Sequence, residues 1–447
     1  MTRAAILLLC AVQALYGAGM RAGVARRDIT PKIPVYLSGY ASRNHASTGV
    51  IQPLWARALA IQGTSGGRVV VVSTDLIGFP PEVSEQVAAR ALRQFKLERS
   101  RLLLNSSHTH TGPVVWAGLV TMFDLSPEEE RKLRDYAAQL VDDLVAVIGD
   151  ALADLSPAEI SYGFGQAGFA INRREPTDRG IRIGLNPSGP TDHAVPVLAV
   201  RDAKGSLRAV LFGYACHNTT LGGDFYQITG DYAGFAEAKL ENEHKGVTAM
   251  FVQLCAGDQN PQPRGTLELA QQHGQELAAE VERVLKAGMG PLKGPLRVSY
   301  QETFLPFARR PRSVYEADTA NPKAPPATVR RAWQMLDAID TGRNVWQTSY
   351  PVQAIRFGRE LTLLALGGEV VVDYALRIKR EYPGEPVIVA AYSNSVMCYI
   401  PSERVLREGG YEAVDNLIYY GKPGPFEPGV EERVMAAVRQ AMKSVGR

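Results

Sequence analysis

Two histidines two residues apart, in Ser106-Ser107-His108-Thr109-His110-Thr111-Gly112-Pro113, are the strongest local signal of chemistry in this chain. In an extended segment residues i and i+2 point the same way, so both imidazoles can face one cavity. Neutral imidazole is a common zinc ligand, and a catalytic zinc takes a few protein ligands plus water. Alone, the tripeptide is equally compatible with hydrogen-bonded structural histidines. Four further clusters share its character: Cys216-His217-Asn218-Thr219-Thr220, Ala256-Gly257-Asp258-Gln259-Asn260-Pro261, Gly367-Gly368-Glu369, and Tyr392-Ser393-Asn394 with Tyr399 shortly beyond. A lone His217 is more often structural, and a lone Glu369 after a Gly-Gly turn proves nothing. It is their shared placement that matters. His45, His193, His244 and His273 lie in loops or on polar helix faces and are read as ordinary.

The placement follows from the elements. Apolar runs predict strands over Arg68–Ser73, Arg101–Asn105, Val195–Arg201, Arg208–Ala215, Val247–Leu254, Leu361–Leu366 and Val387–Ala391. Five of these end in the clusters above, and the expectation is that their ends share one edge of a sheet, where α/β proteins assemble ligand sites. Amphipathic spacing predicts helices over Glu82–Glu98, Tyr232–Glu243, Leu267–Ala287, Val329–Asp340 and Val430–Val445. Another opens at Ser126, with Pro127 in the first turn and Glu129 completing a capping box. Strands alternating with helices give an α/β fold. There is no internal repeat. Residues 308–328, rich in Pro, Arg and Ala, read as a surface insertion or lid, and the rest as one catalytic domain over residues 20–447.

Composition bounds the rest. The chain has 447 residues, 45% hydrophobic and 21% charged, which excludes disorder. A net charge of +3, with its basic residues spread out apart from Arg309, Arg310 and Arg312, gives no footprint for nucleic acid. Arg3, the apolar Ala4–Leu15 stretch and the small Gly17-Ala18-Gly19 read as a signal peptide over residues 1–19, too short for a permanent anchor of about 20 residues. The expected location is secreted or periplasmic, with no transmembrane anchor in the mature chain. Beyond Cys10, the cysteines Cys216, Cys255 and Cys398 give no disulfide framework. Burial as small apolar side chains and a Cys216–Cys255 disulfide both stay open.

With these motifs in order, the sequence resembles the catalytic domain of the neutral/alkaline non-lysosomal ceramidase family, from about Ala22-Gly23-Val24-Ala25 to the C-terminal helix. The carrying segments are Asn105–Pro113, the His217 turn with Gly230-Asp231-Tyr232-Ala233-Gly234, Gly257–Pro261, Gly368–Glu369, and Asn394–Tyr399 with Gly410-Tyr411-Glu412. The resemblance implies mixed β-sheets flanked by α-helices in a layered catalytic domain. It implies one Zn2+ held by His108, His217, Glu369 and Tyr399. It also implies a substrate-facing His110, a second site tyrosine in Tyr411, and a site arginine in Arg173. Two departures stand out. Asn260 replaces the family's site serine, and little chain follows the catalytic domain, leaving no room for a C-terminal sandwich domain. The implied activity is hydrolysis of a small-molecule or lipid amide, by attack of zinc-bound hydroxide on an N-acyl carbonyl, with transient membrane-surface contact and oligomeric state left open. The alternatives are a zinc hydrolase of another ester or amide and a non-catalytic binding protein that lost the serine. In this reading His110 handles a proton for the leaving amine, Tyr411 or Arg173 helps to stabilise the oxyanion, Asn260 hydrogen-bonds the carbonyl, and Asp258 orients a ligand or the Asn260 turn.

Overall fold

The structure, a computed structural model, describes residues 19–447; all but Gly19 of the expected signal peptide lies outside them, as does Cys10. A large mixed sheet runs in the spatial order Thr248–Gln253, Leu207–Tyr214, Ala194–Asp202, Ser156–Gln166, Arg21–Asp28, Trp55–Gln62, Arg68–Thr74, Leu102–Ser106, with the short Gly290–Pro291 strand on Ser156–Gln166. A second sheet carries Leu296–Pro306, Gln347–Phe357, Leu361–Leu366 and Val387–Ala390. Three parallel pairs, Arg68–Thr74 with Leu102–Ser106, Leu207–Tyr214 with Thr248–Gln253, and Leu361–Leu366 with Val387–Ala390, bring the motif-bearing strand ends together.

The alternation of buried side chains builds four layers. Val69, Val71, Leu103, Met250 and Val252 pack inward against Ile355, Leu363 and Ile388 of the second sheet. Their neighbours Val70, Val72, Leu102 and Leu104 face outward onto the Pro81–Phe95 and Pro127–Ala153 helices. On the same outer face Phe212 and Phe251 meet the Asp231–Glu243 and Leu267–Lys286 helices. Leu364 and Leu366 turn the other way, onto Val372–Glu381 and Val430–Ser444. The period of two thus assigns each strand residue to one of two cores. Helix, sheet, sheet, helix is the order of the layers.

The expected strands and helices all occur, with ends shifted by a few residues, and Ser126 caps its helix through the foreseen box with Glu129. One expectation needs correction. The five motif-bearing strands do not share one sheet: Leu102–Ser106, Leu207–Tyr214 and Thr248–Gln253 belong to the large sheet, Leu361–Leu366 and Val387–Ala390 to the small one. Face-to-face packing of the sheets, not lateral pairing, aligns their ends. The 308–328 stretch is mostly exposed. It contains the Arg312–Ala320 helix, whose fully buried Tyr315 donates to the Pro423 carbonyl at 2.8 Å. The Pro326–Asp340 helix follows, and Arg330 donates to the carbonyls of Thr121 and Met122. The Arg309–Arg312 run is solvated, with Arg312 paired to Glu316 and Asp340.

Candidate metal centre

Asn105, fully buried at the end of its strand, joins the two sheets beneath the site. Its Nδ2 donates to the Ala391 carbonyl at 2.7 Å and to Ser393 Oγ at 3.1 Å, while its Oδ1 accepts from the Gln253 amide at 2.9 Å. Asn394 answers from the other sheet, accepting from the Leu104 amide and donating its own to the Leu104 carbonyl. These bonds satisfy buried polar groups that would otherwise cost free energy, and they fix the strand ends relative to one another.

From that platform His108 and His110 do converge, but not by the route expected. The strand ends at Ser106, and His108 is left-handed, with φ 65°. The segment is a sharp turn rather than extended backbone, a conformation that costs a non-glycine residue energy and is concentrated at functional sites. The Nε2 atoms of His108 and His110 are nevertheless 3.1 Å apart. Ring nitrogens of His108, His110 and His217 all lie within 4.8 Å of one another. Glu369 Oε2 stands 2.9 Å from His108 Nε2 and 3.2 Å from His217 Nε2, and the Tyr399 hydroxyl is 3.0 Å from His217 Nε2.

The histidines are not equivalent. His108 Nδ1 donates to the Ile77 carbonyl at 2.6 Å and His217 Nδ1 to the Ala256 carbonyl at 2.7 Å. Each bond leaves the Nε2 lone pair directed at the cluster, the arrangement that orients metal-bound imidazoles. His110 Nδ1 is buried with no such partner. Burial pushes the pKa of His217 down to about 3, with Arg173 adding to the effect, so its ring is neutral. Burial, with His108 and His217 facing it, holds His110 well below the usual range too. Burial would raise Glu369, but the facing imidazoles outweigh it and keep the carboxylate ionised. Tyr420 donates to Glu369 Oε1, and Tyr392 reaches Oε2 at 3.4 Å. Two imidazoles, a carboxylate and a phenol oxygen are a donor set suited to zinc.

Arg173 links the cluster to the pocket in front of it. Its Nη2 donates to the Tyr399 hydroxyl at 3.0 Å, Nη1 to Asn260 Oδ1 at 3.2 Å, and Nε to Glu412 at 2.8 Å. Burial disfavours the guanidinium charge, yet Tyr399 and Glu412 hold its pKa well above the ordinary value. Arg174 shares Glu412 from the other side. Asn260 Oδ1 also accepts from Thr219 Oγ1 at 3.3 Å. Two donors on Oδ1 turn the amide NH2 away from them. Tyr411 opens a π-helical turn and meets Tyr399 edge-on, the ring centroids 5.4 Å apart. Asp258 does not enter the cluster. It lies beneath, accepting from Asn172 Nδ2 and from the Val372 amide, and burial lifts its pKa to about 7. It holds together the segments carrying Arg173 and Glu369.

A cavity of about 330 Å³ opens onto these groups, walled by His110, Arg173, Asn260, Tyr399 and Tyr411 together with Tyr40, Met122, Ile183, Arg264 and Tyr419. The eight residues expected to bind zinc or face the substrate therefore meet in one place, and Asp258 lies beneath them. Sequence reasoning missed Tyr420, Gly39, Tyr40 and Arg264, none of which stands in a recognisable spacing to the histidines. The remaining histidines are structural: His193 and His273 bond to carbonyls, His45 stacks on Tyr226, and His244 pairs with Glu282. His273 is buried rather than on a polar face. Cys216, Cys255 and Cys398 are buried free thiols, which removes the Cys216–Cys255 disulfide.

A layered mixed α/β domain with imidazoles and a carboxylate gathered at strand ends defines a protein with a candidate metal centre. Comparison with known proteins gives the family. Residues 20–301 match the family described as neutral/alkaline non-lysosomal ceramidase, N-terminal, and the chain belongs to that family. Neutral ceramidase of Pseudomonas aeruginosa is 29% identical over 255 residues, 54% of this chain and 37% of the relative. That of Mycobacterium tuberculosis is 26% identical over 251 residues, 51% of this chain and 38% of the relative. The matches thus span little more than a third of these relatives' length. The crystal structure of the Pseudomonas aeruginosa neutral ceramidase superposes with a TM-score of 0.71 at 21% identity, over 96% of this chain and 74% of that one. A ceramidase complexed with C2 gives 0.71 at 20%, over 93% and 73%.

Proposed function

We propose that this chain is an exported zinc-dependent amidohydrolase acting on a small-molecule or lipid N-acyl amide. Family membership supports hydrolysis of an amide, and the leader-like residues 1–19 support export to a secreted or periplasmic location with one catalytic domain over 20–447. The observation that carries the reading is the convergence of His108 Nε2, His217 Nε2, Glu369 Oε2 and the Tyr399 hydroxyl, with both Nδ1 atoms tied to main-chain carbonyls. No described helix is long and apolar enough to cross a membrane.

Zinc held by these four residues would supply Lewis acidity toward a water and a carbonyl oxygen. The protein's own groups do the rest. His110, neutral and unanchored at Nδ1, takes up a proton at the cavity wall and passes it to the leaving amine nitrogen. Asn260 NH2, with Arg173 and Tyr411 beside it, donates to the oxygen on which negative charge develops. An amide is no nucleophile, so Asn260 leaves attack to water. Tyr420, Asp258 and Glu412 position Glu369, the backbone around Arg173, and the Arg173 guanidinium in turn.

Metal analysis of the purified protein, followed by hydrolysis of a panel of acyl amides and esters with and without chelator, tests the proposal. About one zinc per chain and chelator-sensitive amide cleavage are expected. A folded protein without stoichiometric zinc after growth in zinc would overturn it. Ester cleavage alone would move the substrate class. Inertness of the wild type together with activity of Asn260→Ser would favour a binding protein.

A further inference from the structure

The cavity is unevenly charged. Arg173 and Arg174 are matched by Glu412 and Glu408, two cations against two carboxylates. Arg264, also in the cavity wall, is not matched: among the described residues it forms no ion pair, and its Nη2 donates only to the Tyr40 hydroxyl at 3.0 Å. Behind Tyr40 lies Arg43, also without a carboxylate, its guanidinium 5.0 Å from the Tyr40 ring and its donors directed at the carbonyls of Ser38, His110, Gly222 and Phe225. The neighbouring buried acid, Asp231, accepts from the amides of Leu221 and Tyr232. Arg264 is also held in place. The Gly265 amide donates to the Thr220 carbonyl at 2.7 Å, and His273 donates to the Pro263 carbonyl at 2.7 Å, so both sides of its backbone are pinned.

A half-buried guanidinium with free donors at a cavity wall favours an anion, above all a planar carboxylate that it meets with two hydrogen bonds. Tyr40 packs edge-on against His110, ring centroids 4.9 Å apart, which places Arg264 on the His110 side of the cavity. Part of the wall is apolar. Met122, Ile183 and Tyr419 supply it, and Leu185, two residues along the Gly180–Asn186 strand from Ile183 and so on the same face, is like it 49% exposed. We infer that the site takes an amide carrying a carboxylate near the scissile bond, an N-acyl amino acid in class, with Arg264 holding the carboxylate and the acyl chain lying along Ile183 and Leu185. This rests on the amidohydrolase reading and narrows its substrate.

The test compares N-dodecanoylglycine with the neutral N-dodecanoylglycinamide on the zinc-loaded protein. Release of dodecanoate gives kcat/KM, and the shift in Tm with each compound measures binding. A charge-assisted pair is worth about 10- to 100-fold, so kcat/KM should favour the carboxylate by about that factor. In Arg264→Gln the ratio should fall toward one, and Arg264→Lys should restore part of it. The carboxylate compound should raise the wild-type Tm more than the amide, and Arg264→Gln should abolish the difference. Equal or faster cleavage of the neutral amide, or an Arg264→Gln protein that keeps the preference, overturns the inference while leaving amide hydrolysis intact. Dodecanoate released from neither compound counts against the amidohydrolase reading itself. The Tm comparison then still decides the role of Arg264, an equal shift with both compounds overturning it.

Discussion

Gly39 lies directly against His110: with a backbone φ of 90°, a Cβ added at Gly39 would stand 2.2 Å from His110 Nδ1. No side chain fits there without displacing the imidazole, and the left-handed backbone itself disfavours one. Gly39→Ala should therefore retain zinc, because the Ile77 and Ala256 carbonyls that anchor His108 and His217 are not among the atoms the new Cβ would meet, while losing most turnover. Stability should fall by about 1–3 kcal/mol. Zinc content, turnover and denaturant unfolding of one preparation check all three. Full activity would show that His110 is free to move.

The unequal anchoring of the histidines predicts unequal roles. His108→Ala and His217→Ala should lose the metal, whereas His110→Ala keeps it and loses turnover by about 100-fold or more. Loss of zinc from His110→Ala with retention by His108→Ala would reverse the assignment.

Asn260 separates a hydrogen-bond donor from a nucleophile. Removing one donor to a developing oxyanion costs about 100- to 1000-fold in turnover, and Asn260→Ala should fall in that range with its zinc retained. Asn260→Ser should remain active. Mass spectrometry of the enzyme during turnover should find no covalent acyl adduct, and an adduct on any side chain would refute attack by water.

Asp258 couples stability to pH. Burial raises its pKa in the folded chain from the model-peptide value of 3.8 to about 7. Between those limits the folded state keeps a proton that the unfolded chain releases. Its contribution is therefore fully present below about pH 4 and lost as pH rises through about 7, by up to about 4 kcal/mol. The unfolding free energy of wild type minus that of Asp258→Asn should decline between pH 5 and 8. A flat difference would show that Asp258 is ionised throughout.

Local patterns were enough for much of this protein. Alternating apolar residues in Val69–Val72 and Leu361–Leu366 assign strands from neighbouring residues alone, and Ser126 with Glu129 caps a helix within one turn. The order of the short motifs around His108, His217, Asn260, Glu369 and Tyr399 carried the family and the candidate site, because each motif is a turn that closes its own strand. What the sequence did not contain is which strands become neighbours. Two sheets meeting face to face, not one, set the five ends together, and that depends on burial of side chains hundreds of positions apart. The left-handed turn at His108 is imposed by the same packing. Arg173 finds Glu412 across 239 residues and Tyr399 across 226, and Tyr420 reaches Glu369 across 51. Such bonds follow from the packed whole, since a side chain's spacing along the chain says nothing about its distance through space. Gly39 and Arg264 show the same limit: one has meaning only against His110, the other only as a cation at the cavity wall without an ion pair among the described residues.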